Sequence, residues 1–107
     1  MQQLRAQQLA EWLADANRPS PVLLDVREPW EVELCQLAGS QNIPMHLVPV
    51  RCDELDPEQD IVVICHHGSR SMQVAMFLEN KGYGAVYNLT GGVEAWAGEV
   101  DSSMRRY

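Results

Sequence analysis

One short stretch of this chain carries the residue types of nucleophilic chemistry: Cys65-His66-His67-Gly68-Ser69-Arg70. The cysteine is the nucleophile among them, acting as its thiolate. Two imidazoles and a guanidinium supply donors and positive charge for an anionic partner, and Gly68 lets the loop close around a sulfur with no Cβ in the way. No carboxylate occurs between Asp60 and Glu79 in a chain that is otherwise acidic. A cysteine taken alone is most often a buried structural residue; the polar loop ending in arginine points instead to a reactive one. Cys65-His66-His67 is not expected to bind a metal, because adjacent side chains diverge and a structural site needs four ligands.

The flanking elements must position that loop. Ile61 to Ile64 is an unbroken β-branched run, too short for a helix and suited to a strand buried on both faces. From Ser71 to Lys81 the apolar residues Met72, Ala75, Met76 and Phe77 follow helical spacing, with Gly82 as the stop. The motif reads strand, loop, helix. A turn into a helix N-terminus leaves backbone N–H groups pointing at one centre with the positive end of the dipole behind them, and a thiolate is the form such donors stabilise.

The hexapeptide resembles the active-site loop of rhodanese-type sulfurtransferases. Leu23-Leu24-Asp25-Val26-Arg27-Glu28-Pro29, Asn42-Ile43-Pro44 and Gly91-Gly92-Val93-Glu94-Ala95-Trp96 resemble three further signatures in that family's order, so the resemblance spans nearly the whole chain. It implies an α/β fold, a single rhodanese-like domain over residues 1–107 with a mostly parallel central sheet and helices on both faces. It also implies sulfur transfer of the thiosulfate:cyanide type through a persulfide on Cys65, without a cofactor. His66, His67, Gly68, Ser69 and Arg70 would then bind the substrate, and Asp25 and Arg27 would support the loop. The expected partners are a small anionic donor such as thiosulfate and, as acceptor, cyanide, a thiol or a sulfur-accepting protein, with no nucleic acid and no membrane. One departure is Cys35-Gln36, where relatives commonly have Gly-His; any role of that histidine is lost here and a thiol is gained.

Two other readings share the motif. A cysteine-dependent phosphatase or arsenate reductase also uses a thiolate in an anion cradle closed by arginine, but its signature places five residues between the two, whereas four separate Cys65 from Arg70. A non-catalytic interaction module on the same fold typically lacks the cysteine.

Composition bounds the rest. A length of 107 residues suits one domain, and a formal net charge of −7 argues against nucleic acid or an anionic membrane surface as partner. No segment is apolar for the length of a membrane span, and the first residues lack the apolar core of a signal peptide. Cys35, Cys52 and Cys65 cannot all pair and match no zinc spacing, so a reducing compartment, the cytoplasm, is expected. Cys35 reads as a packed bystander or a resolving partner; Cys52 is a poor nucleophile candidate beside Asp53 and Glu54.

In chain order, Arg5 to Ala16 places Leu9, Trp12, Leu13 and Ala16 on one helical face before Pro19. Val22 to Val26 reads as a strand, Pro29 to Leu34 as a helix with proline in its first turn, and His46 to Leu55 as a short, proline-interrupted helical segment. Val86 to Leu89 is another strand, Thr90-Gly91-Gly92 a turn, and Val93, Ala95 and Trp96 mark a short helix. The tail from Gly98 to Tyr107 has little periodicity and either wraps over the domain or frays.

Overall fold

In the computed structural model, which describes residues 1–107, strands and helices alternate as β1 (Gln2–Arg5), α1 (Ala6–Ala14), β2 (Val22–Asp25), α2 (Pro29–Leu34), β3 (Gln41–Asn42), α3 (Val48–Arg51), β4 (Ile61–Ile64), α4 (Ser69–Asn80), β5 (Val86–Thr90) and α5 (Gly92–Glu99). Short 3-10 turns at Met45–Leu47 and Cys52–Glu54 flank α3. The strands form one sheet in the order β1-β5-β4-β2-β3, and every pairing is parallel.

The β-branched run is the middle strand, and its alternation divides the core. Ile61 and Val63 pack with Leu24, Val48, Val74, Ala75 and Leu78 on the face covered by α3 and α4. Val62 and Ile64 pack with Leu9, Trp12, Leu89, Val93 and Trp96 on the face covered by α1 and α5. A strand buried on both faces needs apolar residues at every position, which is why Ile-Val-Val-Ile carries no polar residue. The result is the expected parallel sheet with helices on both faces.

Several boundaries differ from those read in the sequence. Gln2–Arg5 forms an edge strand that the sequence gives no sign of, because it is held by backbone pairing to β5 and buries little side chain. Helix α1 therefore starts after Arg5 and ends at Ala14, and its buried face is Ala6, Leu9 and Trp12, with Leu13 and Ala16 outside. Helix α4 starts at Ser69, two residues before the Ser71 start read from the sequence, so Ser69 and Arg70 belong to its first turn. Its buried stripe is Ser71, Val74, Ala75 and Leu78, at i, i+3, i+4 and i+7. Met72 and Met76, expected inside, are 38% and 51% exposed. A serine inside that stripe displaced the methionines from it. The tail wraps: Met104 and Tyr107 pack against the α1 and α5 side of the core.

Candidate active site

Cys65 follows β4 directly, at the C-terminal edge where open α/β sheets gather functional groups. Its neighbours are fixed from two directions. Val93 N–H donates to the carbonyl of Cys65 (2.9 Å) and Glu94 N–H to that of His66 (3.1 Å), so the first turn of α5 carries the start of the loop. This approach requires glycine at position 92, where φ is +58° and a Cβ would lie 2.3 Å from the Cys65 carbonyl oxygen. Gly68 closes the loop in the left-handed region (φ +107°), against the backbone N of Gly91. Its N–H then points at the thiol, 3.0 Å from Sγ. The Cys65 S–H donates to Ser71 Oγ at 3.3 Å, and the residue is only 1% exposed.

Arg70 does not hang free at the mouth. Its guanidinium holds both oxygens of Glu31, at 2.7 and 2.9 Å. Glu31 is itself buried at 3% exposure, and the Arg70 bonds hold its carboxyl down to about 2 against an ordinary 4.5. Tyr107 hydroxyl donates to the same carboxylate at 2.8 Å and accepts from Arg27 Nη1 at 3.0 Å. Burial and the Glu31 charge raise the phenol to about 12, against the opposing pull of Arg27. Arg27 has no exposure at all. Burial works against its charge, and its bonds to Asp25 and Tyr107 more than offset that. Asp25 accepts from Arg27 Nε at 3.0 Å and Nη2 at 2.7 Å, and Nη2 also reaches the Cys35 carbonyl at 2.7 Å. Asn42 amide donates to the carbonyls of Asp25 and Arg27, both at 2.9 Å. Two ion pairs, Arg70 with Glu31 and Arg27 with Asp25, thus lie under the loop and are joined by the neutral Tyr107 hydroxyl, each charge paired as a buried charge must be.

His66 and His67 stack, with His67 exposed and His66 half-buried. Their ring centroids are 3.8 Å apart, and the far face of His66 lies 3.8 Å from the Tyr107 ring. Desolvation first, and then the neighbouring His67, push the His66 imidazole below its ordinary value, so it stands neutral near pH 7. Its Nε2 is buried and unpartnered. His66, His67 and Glu94 each present one ligand atom within 4.8 Å of the others. Stacked imidazoles, however, carry their lone pairs in nearly parallel planes, which do not converge on one ion, and Glu94 is held by Arg106 Nε at 3.0 Å.

The structure therefore brings Cys65, Gly68 and the first turn of α4 together around one sulfur. Ser69 lies exposed beside it. Asp25 and Arg27 reach the loop only through Glu31 and Tyr107. Three of these contributors escaped the sequence reading: Glu31, Ser71 and Tyr107. Glu31 was read only as a first-turn acid of a helix opened by Pro29, Ser71 lay in a segment read for periodicity, and nothing in the tail distinguishes Tyr107.

The rhodanese-like domain family matches residues 6–99. The chain belongs to that family. It is 37% identical over 95 residues to a sulfurtransferase of Allochromatium vinosum, across 89% of this chain and 87% of the relative. It is 35% identical over 75 residues to the thiosulfate sulfurtransferase GlpE of Pseudomonas fluorescens, across 70% and 69% of the two chains. The crystal structure of a rhodanese-like domain protein from Staphylococcus aureus superposes with a TM-score of 0.85 over 100% of this chain and 99% of that one, and at 23% identity it speaks for the fold alone. Within this rhodanese-like domain the three surface cavities are lined by other residues, the first by Met45, Val48, Pro49, Gln73, Val74 and Phe77. Cys65 lines none of them and is buried at the end of its strand. No helix is long and apolar enough to cross a membrane.

Proposed function

We propose that this rhodanese-like sulfurtransferase moves sulfane sulfur from thiosulfate to cyanide or a thiol through a persulfide on Cys65. The observation that carries the reading is the Gly68 N–H on Sγ at 3.0 Å, at the mouth of a loop too short to wrap a tetrahedral phosphate. The Cys65 thiolate attacks the outer sulfur of thiosulfate; the sulfur–sulfur bond of the donor breaks and sulfite departs with its electron pair. Cyanide carbon then attacks the outer sulfur of the persulfide, thiocyanate leaves, and the thiolate is restored. No net oxidation or reduction of the protein occurs.

Gly68, Ser69 and the flanking backbone hold the terminal sulfur. His66 and His67 face the anionic donor at the surface. Arg70, tied to Glu31 by two of its five N–H groups, contributes through those remaining and fixes the loop end. Asp25 and Arg27 brace the layer beneath. A relative named as a putative sulfur carrier protein of Bacillus subtilis, 35% identical over 79 residues, supports a protein acceptor as an alternative to a small thiol. Three unpaired cysteines suit a reducing compartment, and we place the protein in the cytoplasm.

Intact mass tests the reading: one sulfur should be gained on exposure to thiosulfate and lost on exposure to cyanide. The competing phosphatase reading requires turnover of an aryl phosphate by the unmodified protein. A glycine inserted between Gly68 and Ser69 should lower sulfur transfer on the order of a hundredfold, the usual loss when an oriented donor is displaced. Undiminished transfer with the fold intact would reject the loop-size argument.

A further inference from the structure

Both groups that touch the Cys65 sulfur are held by a residue outside the loop. Asn88, in the middle of β5, is 1% exposed and uses every hydrogen-bonding capacity that matters. Its Oδ1 accepts from the Ser71 hydroxyl. Its Nδ2 donates to the Gly68 carbonyl at 3.2 Å and to Gln3 Oε1 at 2.9 Å. Gln3 Oε1 in turn accepts from Thr90 Oγ1 at 3.0 Å, so the orientation of the Asn88 amide is fixed by a hydroxyl donor on one side and two oxygen acceptors on the other. Ser71 is fully buried and has one proton, which it gives to Asn88; its lone pairs are thereby left facing the Cys65 S–H. Gly68 has its carbonyl tied to Asn88 and its N–H on the sulfur.

We propose that Asn88 is the positioning residue of this site: one buried amide that aims both the Gly68 N–H and the Ser71 hydroxyl at the Cys65 sulfur. Ser71 touches the reacting atom, and Asn88 acts through it and through Gly68. A polar side chain in the middle of a core strand is otherwise unfavourable, and its partners here are the two groups on the sulfur. When the thiol proton leaves, Sγ can no longer donate to Ser71. The Ser71 hydroxyl then either stays on Asn88, leaving the sulfur to Gly68, or turns to the sulfur and leaves Asn88 Oδ1 without a donor. Asn88 therefore sets which donors the anionic sulfur receives. The inference rests on Cys65 being the sulfur-carrying thiol, but its test does not require sulfur transfer.

The test is the rate of Cys65 alkylation by iodoacetamide at fixed neutral pH, alongside the rate of thiosulfate loading, in Ser71→Ala, Ser71→Thr, Asn88→Leu and the double variant Ser71→Ala with Asn88→Leu. Ser71→Ala removes the hydroxyl that can turn to the anionic sulfur, and Asn88→Leu releases the aim of that hydroxyl and of the Gly68 N–H, so each should slow both rates, by about tenfold for one neutral donor displaced, a smaller loss than that of an oxyanion donor. Ser71→Thr, which keeps the hydroxyl, should restore most of the loss. The saturating rate of loading should fall while the half-saturating thiosulfate concentration holds, because neither residue faces the donor. The double variant should be little slower than Asn88→Leu alone. Multiplying effects in the double variant, or parental alkylation in a folded Asn88→Leu, would overturn the proposal. If Asn88→Leu does not fold, Gln3→Ala removes only the outer support of the amide and should slow alkylation by a few fold; parental rates in Gln3→Ala together with parental rates in Ser71→Ala would overturn it equally. A parent that alkylates in this pattern yet takes no sulfur from thiosulfate would instead reject the proposed donor and leave the positioning role standing.

Discussion

Tyr107 and His66 lie face to face, their ring centroids 3.8 Å apart and their planes inclined by 10°. The last side chain of the tail thus covers one histidine of the loop, while its hydroxyl bridges Arg27 and Glu31 beneath. Cover and brace are separable functions of one residue. Tyr107→Phe should keep the stack and lose the bridge, lowering stability by about 1 kcal/mol, the worth of an ordinary hydrogen bond. Tyr107→Ala should lose both, and by uncovering His66 it should loosen the loop and speed Cys65 alkylation several fold through easier local opening. Thermal melts and alkylation rates of the two variants separate the contributions; equal alkylation in Phe and Ala variants would remove the covering role.

Sulfur loading should be confined to one of the three thiols. Peptide mapping after thiosulfate should place the added mass on Cys65, with none on Cys35 or Cys52, and Cys65→Ser should take up no sulfur. Cys52 is buried and Cys35 packs against Arg27 Nη1, so neither lies at a strand end before a loop. A persulfide found on either would sink the assignment.

Gly92 should tolerate no side chain. An alanine there would bring a Cβ to 2.3 Å from the Cys65 carbonyl oxygen and 2.4 Å from that of His66, both backbone atoms with nowhere to retreat. Gly92→Ala should cost about 3 kcal/mol or more from overpacking and strain, and the surviving folded protein should load sulfur poorly because the loop has been pushed off α5. Gly82→Ala, at a positive φ but with open space around it, is the matched control and should destabilise less.

Acid should weaken the fold in two windows. The neutral His66 imidazole sits below its ordinary value of 6.5, so the unfolded chain binds that proton more readily and stability begins to fall as pH drops below that value. Glu31, with its carboxyl held down to about 2 from 4.5, contributes stability that is fully present above 4.5 and is lost as pH falls from there toward 2. Melts of the parent between about pH 3 and pH 8 should show both slopes. Glu31→Gln should make the lower one shallower, leaving the part contributed by Glu54 and Glu94, whose arginine partners also hold them down, and cost about 2 kcal/mol at neutral pH, less than a fully buried pair would, because the Arg70 partner is 33% exposed and can hydrate. A parental acid limb in Glu31→Gln would contradict the pairing.

The architecture was readable because its signals are local. Ile61 to Ile64 could only be a doubly buried strand, Pro29 and Gly91-Gly92 punctuate where the structure turns, and the loop residues announce their chemistry by type. Beyond Asp25 and Arg27, which the family resemblance offers as support, the partners of that loop were not readable because they are assembled from distant segments. Asn88 reads as one more residue of an apolar strand until Ser71, Gly68 and Gln3 are seen to converge on it. Arg70 reads as a free cation because Glu31 comes from α2. The face of α4 was misjudged at Met72 and Met76 because periodicity treats methionine as core and serine as surface, and the site inverts that preference at Ser71.

The pairing of β1 with β5 has a consequence for the order in which this domain assembles. During synthesis β1 emerges first and waits without its β5 partner, while β2, β3 and β4 follow and can pair among themselves, and Cys65 emerges just after them. At that stage the loop has neither the α5 turn that receives its carbonyls nor the Asn88 amide, and the Arg27 partner Tyr107 lies 80 residues further along the chain. The bond from Asn88 to Gln3 closes a separation of 85 residues, and contacts that span so much chain form slowly. A partly made chain thus exposes an ordinary thiol, and the sulfur acquires its donors only when the final strand docks and draws the two ends of the sheet together.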